Sequence, residues 1–170
     1  MLLLSLAACG GDGDGGDGDD GAVLQPTSTG PSPSKAEFIR KGDAVCREIL
    51  VEAEKIDEQA AAIGARDVTN QNTQQVAAQI WAQQIALTRK FKNRLQSLGA
   101  PAGSENEVSQ LVATLEDAIA LGDQIRMQLA DGQINETPTF VEEYANVVQE
   151  GNLQAQQFGF KVCGSPPRTP

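Results

Sequence analysis

The sequence contains no histidine. Histidine is the commonest general base near neutral pH and the commonest metal ligand, so its absence weakens the expectation of acid–base catalysis and of a metal centre. A metal site inside a helical bundle would also need Glu-x-x-His pairs. The CxxC redox motif and the CxxCH haem motif are missing as well. We therefore expect a protein that is not an enzyme and that carries no cofactor and no metal.

Aromatic residues are scarce, at 4% of the chain, whereas hydrophobic residues reach 40%. A chain that is poor in aromatics and rich in Ala, Gln, Leu and Val suits helices better than sheets. The formal net charge of −10 is opposite to the basic surface that nucleic-acid binding requires. We therefore expect no nucleic-acid partner, and the same charge argues against direct docking on anionic lipid head groups.

No apolar run approaches the ~20 residues that a transmembrane helix needs. The short, mostly apolar stretch at residues 1–8 ends in Leu6-Ala7-Ala8-Cys9. This tetrapeptide looks like a bacterial lipobox, in which small residues precede a cysteine that accepts a diacylglyceryl group. The sequence predicts a signal-peptide remnant at 1–8 and a lipidated Cys9. The missing basic n-region indicates a start further upstream, and the alternative is a chance or buried cysteine in the N-terminal region.

Residues 10–34 consist mainly of Gly, Asp, Ser, Thr and Pro. Such a composition buries too little to fold, so residues 9–34 are predicted to be the lipidated cysteine followed by a disordered, acidic, Gly-rich linker. A flexible coil of this length would hold the following domain roughly 25–30 Å from Cys9. The expected partners are a membrane, through the lipid anchor, and a possible envelope protein. The expected location is the extracytoplasmic face of the cell membrane.

Residues 35–164 predict an all-α domain. Apolar residues recur at steps of three and four, and no segment alternates with the period of a strand. Four helices with short connections imply an antiparallel up-down-up-down four-helix bundle. The helices are predicted to run from Ser34 to Gly64, from about Thr73 to Leu98, from Ser104 to Asp131 and from Thr137 to Phe158. Residues 165–170 are expected to be a disordered tail.

Local signals fix the predicted helix ends and the predicted core. Ser34, Ser104 and Thr137 are expected N-caps, with Glu37 and Glu107 completing capping boxes. The residues expected to face the core on the first two helices are Cys46, Ile49, Ala53, Ile56, Ala60, Ile63, Ile80, Leu87, Phe91, Leu95 and Leu98. Those expected on the last two helices are Val108, Leu111, Leu115, Ile119, Ile125, Leu129, Val141, Tyr144, Val148, Ala155 and Phe158.

Two glycines, Gly122 and Gly151, fall on the predicted apolar faces of the third and fourth helices. A glycine inside a helix lowers its propensity by ~1 kcal/mol relative to alanine. Either these glycines let neighbouring helices approach closely or they are tolerated defects. The same positions bear on function, because a ligand pocket between the helices would place them on a cavity wall.

With Cys9 assigned to lipid, Cys46 and Cys163 remain. An even pair in an exported chain indicates a structural disulfide. In the predicted topology the start of the first helix and the end of the fourth lie at the same end of the bundle. We expect Gly159 to break the fourth helix, so that Phe160 and Val162 turn back along the first helix. The alternative is two free buried thiols.

Charged residues cluster on two of the predicted helices. Arg89, Lys90, Lys92 and Arg94 lie near the end of the second helix. They indicate either an anion or partner patch or, as we prefer, cations placed favourably near a helix C-terminus. The acidic residues Glu52, Glu54, Asp57 and Glu58 on the first helix are interpreted as a solvated face. Trp81 is expected to lie half-buried at the bundle edge, with ligand stacking as the alternative.

Three segments carry a family resemblance: "KAEFIRKGDAVCREI", "LGAPAGSENEVSQLVATLEDAI" and "FGFKVCG". They resemble a widespread group of uncharacterised bacterial secreted or lipid-anchored helical proteins, over roughly residues 35–164. In that group an early helical cysteine is matched by a Cys-Gly after an aromatic-Gly step near the C-terminus. The resemblance independently implies a disulfide between Cys46 and Cys163, and it implies a fold and a location but no chemistry.

Taken together, the sequence predicts a lipid-anchored extracytoplasmic helical domain that acts as an interaction or envelope-structure module. The alternative is a lipoprotein that binds a small ligand in a pocket between its helices. The contacts of Gly122 and Gly151 distinguish the two interpretations, because a pocket needs the helices apart at these points.

Overall fold

The computed structural model describes residues 32–64, 69–135 and 137–164. These ranges contain four α-helices, which are α1 (Lys35–Gly64), α2 (Gln71–Ser97), α3 (Glu105–Ala130) and α4 (Thr137–Phe158). No strand occurs among the described residues, and the predicted all-α class is confirmed. The predicted signal-peptide remnant at 1–8, the lipidated Cys9, the linker as far as residue 31 and the tail at 165–170 lie outside these residues.

Each helix packs against its neighbours in sequence, α1 on α2, α2 on α3 and α3 on α4. α1 and α2 run in opposite directions, since Lys90 pairs with Glu52 whereas Gln83, earlier on α2, pairs with Gln59, later on α1. The pairs Arg89–Asp123 and Lys92–Glu116 show the same for α2 and α3. For α3 and α4, Thr114 bonds to Gln154 whereas Gly122, later on α3, lies beside Tyr144, earlier on α4. Short connections and alternating directions give the antiparallel four-helix bundle that the sequence predicted. α1 meets α4 at one end of the bundle, where the rings of Phe38 and Phe158 lie 5.6 Å apart, centre to centre.

Helix starts follow the sequence signals at α1 but not at α2. The Ser34 hydroxyl accepts a hydrogen bond from the Glu37 amide at 3.2 Å, which confirms the predicted N-cap. The Glu37 carboxylate pairs with Lys41 at 2.8 Å. α2 begins at Gln71, two residues before the predicted start, because the Asn70 side chain accepts hydrogen bonds from the amides of Asn72 and Thr73.

The N-cap of α3 differs from the predicted capping box. Ser104 occupies the cap position, but its hydroxyl makes no hydrogen bond with a helix amide. The hydroxyl instead bonds to the Glu107 carboxylate, and together with the Lys35 ammonium it lowers the pKa of Glu107. At the start of α4 the Thr137 hydroxyl donates to the Gln133 carbonyl at 3.3 Å. Both hydroxyls therefore bond to groups other than the helix amides that the sequence pattern assigned to them.

The core consists of three groups of buried residues. One lies where the start of α1 meets the end of α4 and contains Phe38, Cys46, Leu95, Val108, Leu111, Ala155, Phe158, Phe160 and Cys163. A second joins α1 to α2 through Val45, Ile49, Ala53, Ile56, Ile80 and Leu87. A third joins α3 to α4 through Ala118, Ile125 and Tyr144. Most predicted core positions are thus confirmed. The prediction is wrong for Ile119, because this residue is only partly buried and lines a surface groove.

Candidate functional site

The two cysteines that the sequence paired meet at the end of the bundle that carries the start of α1. The sulfur atoms of Cys46 and Cys163 lie 1.99 Å apart, at the distance of a disulfide, and the two Cα atoms are 5.5 Å apart. Both residues are buried in the first core group. The candidate site comprises this pair and the chain around it.

The residues after α4, Gly159–Gly164, form what we call the return segment. Gly159 has a φ of +113°, in the region that favours glycine, and the Phe160 amide bonds back to the Ala155 carbonyl at 3.0 Å. α4 therefore ends at Phe158, and the chain turns back toward α1 at Gly159. The prediction that this segment runs along the first helix is confirmed, because Phe160 belongs to the core group that contains Phe38 and the partly buried Val162 packs against that group.

The Phe160 ring is the apolar anchor of the return segment. It stacks on Phe158 at a centroid distance of 5.3 Å and lies 5.9 Å from the ring of Phe38. Gly42 makes this contact possible, since a Cβ at residue 42 would clash with the Phe160 Cε1 atom. The ring therefore rests directly on the backbone of α1.

Asp43 is the polar anchor of the return segment. Its carboxylate accepts hydrogen bonds from three consecutive backbone amides, those of Lys161 at 3.1 Å, Val162 at 2.8 Å and Cys163 at 3.3 Å. Asp43 is only 6% exposed, and a buried charge of this kind is costly unless it is hydrogen-bonded. Sequence reasoning missed Asp43, because nothing near residue 43 in the sequence indicates the amides that it binds.

The residues that receive the return segment share one side of α1, since Phe38, Gly42 and Cys46 follow one another at steps of four and Asp43 lies beside Gly42. Next to them, the Lys35 ammonium lies 4.2 Å from the centre of the Phe158 ring and 3.2 Å from the Glu107 carboxylate. This end of the bundle thus combines a disulfide pair, an aromatic cluster and a buried carboxylate, each with a member on α1 between Phe38 and Cys46.

The basic cluster of α2 is divided between two sides of that helix. Each of the four cations contacts an acid on a neighbouring helix, in the pairs Arg89–Asp123, Lys90–Glu52, Lys92–Glu116 and Arg94–Glu48. The hydrogen bond from Arg94 lowers the pKa of Glu48. Arg94 lies in the last turn of α2, where the preferred interpretation places favourable cations. The four cations also pair with acids on two different helices, so they do not gather into one patch. These pairs place Glu52, a member of the predicted acidic face, in contact with α2.

A shallow surface groove lies between α2 and α3, and its lining residues are Arg89, Lys92, Asn93, Glu116, Ile119, Ala120 and Asp123. The charged side chains in this lining are those that pair with each other across the groove. Each charge therefore already has an oppositely charged neighbour, and the groove supplies no surplus of one sign for a ligand.

Gly122 and Gly151 both lie in contact with a neighbouring helix. A Cβ at residue 122 would lie 2.9 Å from the Cγ1 atom of Ile85, and a Cβ at residue 151 would lie 3.3 Å from the Cγ2 atom of Thr114. Both glycines therefore let neighbouring helices approach closely, and the contact is tighter at Gly122. Because the helices touch at these points, neither glycine faces an open space of the kind that a ligand pocket would require.

Trp81 is partly buried, as the sequence predicted, and its ring meets the buried ring of Tyr144.

Within residues 32–64, 69–135 and 137–164 there is no group of three or more His, Cys, Asp or Glu side chains arranged to hold a metal ion. In the same part of the chain, none of the helices combines the length and the hydrophobicity needed to cross a membrane. Comparison of the chain with protein-family models, with curated proteins and with solved structures gave no match.

Proposed function

We propose that the chain is a lipid-anchored helical domain on the extracytoplasmic face of a cell membrane and that it acts as an interaction or envelope-structure module. The observation that carries the proposal is the placement of Cys46 and Cys163 at disulfide distance. Disulfides form and persist in oxidising compartments and are rare in a reducing cytosol. A helical bundle that is closed by a disulfide and follows a lipobox-like sequence is therefore what we expect of an exported protein.

The sequence around Cys9 supports the anchor. Leu6-Ala7-Ala8-Cys9 resembles the site at which bacterial lipoproteins are acylated and cut. Each methylene that an acyl chain buries contributes about 0.8 kcal/mol, and stable attachment takes more than one chain. The polar residues that follow Cys9 would keep the bundle clear of the lipid head groups.

The packing of the bundle supports an interaction or structural role over small-ligand binding. Gly122 and Gly151 bring helices into contact where a pocket between them would have to open. The aliphatic side chains left most exposed lie on outer faces, with Val51 at 58% and Leu153 at 49%. Contacts with another protein would therefore involve the outside of the bundle.

Mass spectrometry of the protein extracted from membranes tests the anchor. We expect acyl mass on the peptide that begins at Cys9 and loss of the protein from the membrane fraction in Cys9→Ser. The matched control is Cys46→Ser, which removes a different thiol and is expected to keep the acyl mass. An intact, unmodified N-terminus on the natural protein would overturn the anchor.

Site-specific photo-cross-linking in intact cells tests the interaction role. A photoreactive residue at Val51 or Leu153 is expected to give a discrete product whose second protein, purified in turn, captures this chain. The same residue at the buried Ile125 is the control and should give none. Failure at every exposed position of the bundle, with the anchor intact, would argue against a protein partner without affecting the assignment of Cys9.

A further inference from the structure

We propose that Asp43 docks the return segment on α1 without help from the disulfide, and that this docking sets the thiol–disulfide equilibrium of Cys46 and Cys163. Asp43 is then a positioning residue, because it acts on the sulfur chemistry through the backbone of residues 161–163. The proposal concerns the bundle itself, so it holds or fails independently of the lipid anchor and of any partner.

The hydrogen bonds of Asp43 provide the first support. One carboxylate receives three successive amides, and its Oδ1 atom alone accepts from Lys161, Val162 and Cys163. Hydrogen bonds to an ionised acceptor are roughly twice as strong as those between neutral groups. Removal of the carboxylate would leave these partly buried or buried amides without their acceptor. The disulfide cannot replace these hydrogen bonds.

The apolar contacts of Phe160 provide independent support. Its ring is 5% exposed and is held among Phe38, Gly42 and Phe158. None of these contacts involves a cysteine. The return segment is therefore fixed by the aromatic ring of Phe160 and by the backbone amides of residues 161–163. These anchors directly precede the Cys163 sulfur or belong to Cys163 itself.

The spacing of these anchors ties the docking to the disulfide. Asp43 lies three residues before Cys46 on α1, and the Cys163 amide itself bonds to the Asp43 carboxylate. While that bond persists, the Cys163 thiol stays beside the Cys46 thiol even when both are reduced. A reaction between groups held this close proceeds at a high effective concentration, which favours the closed disulfide.

The chemistry balances with a small disulfide such as oxidised glutathione as the oxidant. One protein thiolate attacks the glutathione disulfide, which forms a mixed disulfide and releases one glutathione thiolate. The second protein thiolate then attacks the protein sulfur of the mixed disulfide and releases the second glutathione. The two protein thiols lose two electrons and two protons in total, and one oxidised glutathione becomes two reduced molecules. Docking by Asp43 speeds the second step and stabilises its product.

Hydrogen exchange in a protein without the disulfide tests the docking directly. In the Cys46→Ser/Cys163→Ser variant we expect the amides of residues 161–163 to remain protected. Adding Asp43→Ala should accelerate their exchange by about tenfold or more, because each loses a bond to a charged acceptor. Exchange at these amides as fast as in an unfolded peptide, already in the variant that keeps Asp43, would overturn the proposal.

Equilibration with reduced and oxidised glutathione tests the effect on the disulfide. We expect Asp43→Ala to lower the equilibrium constant for disulfide formation by about tenfold or more, where tenfold corresponds to about 30 mV for this two-electron couple. Asp43→Asn keeps one acceptor oxygen and should fall between Asp43→Ala and the natural sequence. A constant within about twofold of the natural one in Asp43→Ala would refute the role.

Two controls separate positioning from general loss of stability. Asp117→Asn removes an exposed carboxylate on α3 and should leave the glutathione equilibrium unchanged. Ile125→Val trims a fully buried side chain in the third core group, so it lowers overall stability without touching the return segment. If Ile125→Val changes the equilibrium as much as Asp43→Ala does, Asp43 has no specific effect on the disulfide and the proposal fails.

Discussion

The ring of Trp81 meets the ring of Tyr144 edge to face, with the ring centres 4.9 Å apart and the ring planes at 85°. These are the only tryptophan and the only tyrosine in the chain. Tyr144 is 3% exposed, and its hydroxyl is hydrogen-bonded to Thr88. The pair connects α2 to α4 in the third core group, so the absorbance and fluorescence of the two rings report on packing at this one point.

Burial raises the pKa of the Tyr144 phenol well above its ordinary value, and the hydrogen bond with Thr88 offsets only part of that rise. Because the chain has a single tyrosine, the ultraviolet absorbance of tyrosinate follows Tyr144 alone. We expect no tyrosinate signal in the folded protein at a pH near 10, and full titration around this pH in urea. A folded protein that titrates near pH 10 would show that Tyr144 is accessible to solvent.

The same shift predicts a loss of stability in alkali. The pKa of Tyr144 is raised on folding, so its contribution is fully present below the unfolded pKa of about 10 and is lost as the pH rises toward the folded pKa. Between pH 9 and pH 11 we expect the natural protein to lose about 1 kcal/mol more of its free energy of unfolding than Tyr144→Phe does. Ionisation of lysines affects both proteins alike, so equal losses in urea unfolding would contradict the prediction.

The substitutions Gly122→Ala and Gly151→Ala are expected to have different effects on the free energy of unfolding. Gly122→Ala would place a methyl group 2.9 Å from the Ile85 Cγ1 atom, close to the α2 backbone, where overpacking typically costs about 1–3 kcal/mol. Gly151→Ala would meet the Thr114 methyl at 3.3 Å, which needs only a small adjustment, and it gains ~1 kcal/mol of helix propensity. Urea unfolding should therefore show Gly122→Ala to be at least about 1 kcal/mol less stable than Gly151→Ala.

A double variant identifies the cause of the Gly122 effect. In an Ile85→Ala background the contacting Cγ1 atom is gone, so Gly122→Ala should no longer destabilise the protein and should show the gain from helix propensity. If the cost of Gly122→Ala is the same with and without Ile85, the contact with α2 is not its source.

The sequence predicted the helices and the paired cysteines, because apolar periodicity and cysteine number are visible without tertiary contacts. Ile119 was misplaced since the apolar face of α3 instead buries Thr114, Ala118 and Gly122, which carry little hydrophobicity of their own. Asp43 could not be found in this way, because the Lys161 amide that it binds lies 118 residues further along the chain. Polar groups that are satisfied only by distant backbone leave no local pattern.

Helix capping gives a prediction at a position that the sequence pattern overlooked. The Asn70 side chain accepts hydrogen bonds from two amides of α2, at 2.9 and 3.4 Å. We expect Asn70→Ala to lower the free energy of unfolding by about 1 kcal/mol, and Asn70→Asp to restore it, because aspartate caps as well as asparagine. The measurement is urea unfolding followed by circular dichroism. Equal stability of Asn70→Ala and the natural protein would show that α2 does not depend on this cap.

The disulfide is expected to contribute mainly through the unfolded chain. It links residues 117 positions apart, and a loop of this size corresponds to nearly 5 kcal/mol of chain entropy. We expect Cys46→Ala/Cys163→Ala to lose about that much free energy of unfolding, while its circular dichroism at low urea shows the same helix content. On a non-reducing gel the natural protein should move differently after reduction, and Cys46→Ser should abolish the difference.

Reductant supplies the control for the disulfide. The natural protein in reductant should unfold near the midpoint of the double alanine variant, and the midpoint of that variant should not change with reductant. Retained helix content follows from the contacts of Asp43 and Phe160, since these hold the return segment on α1 without the sulfur atoms. If the reduced protein instead loses its helices before urea is added, the bundle needs the covalent link to fold, and the noncovalent anchors are too weak to hold its two ends together.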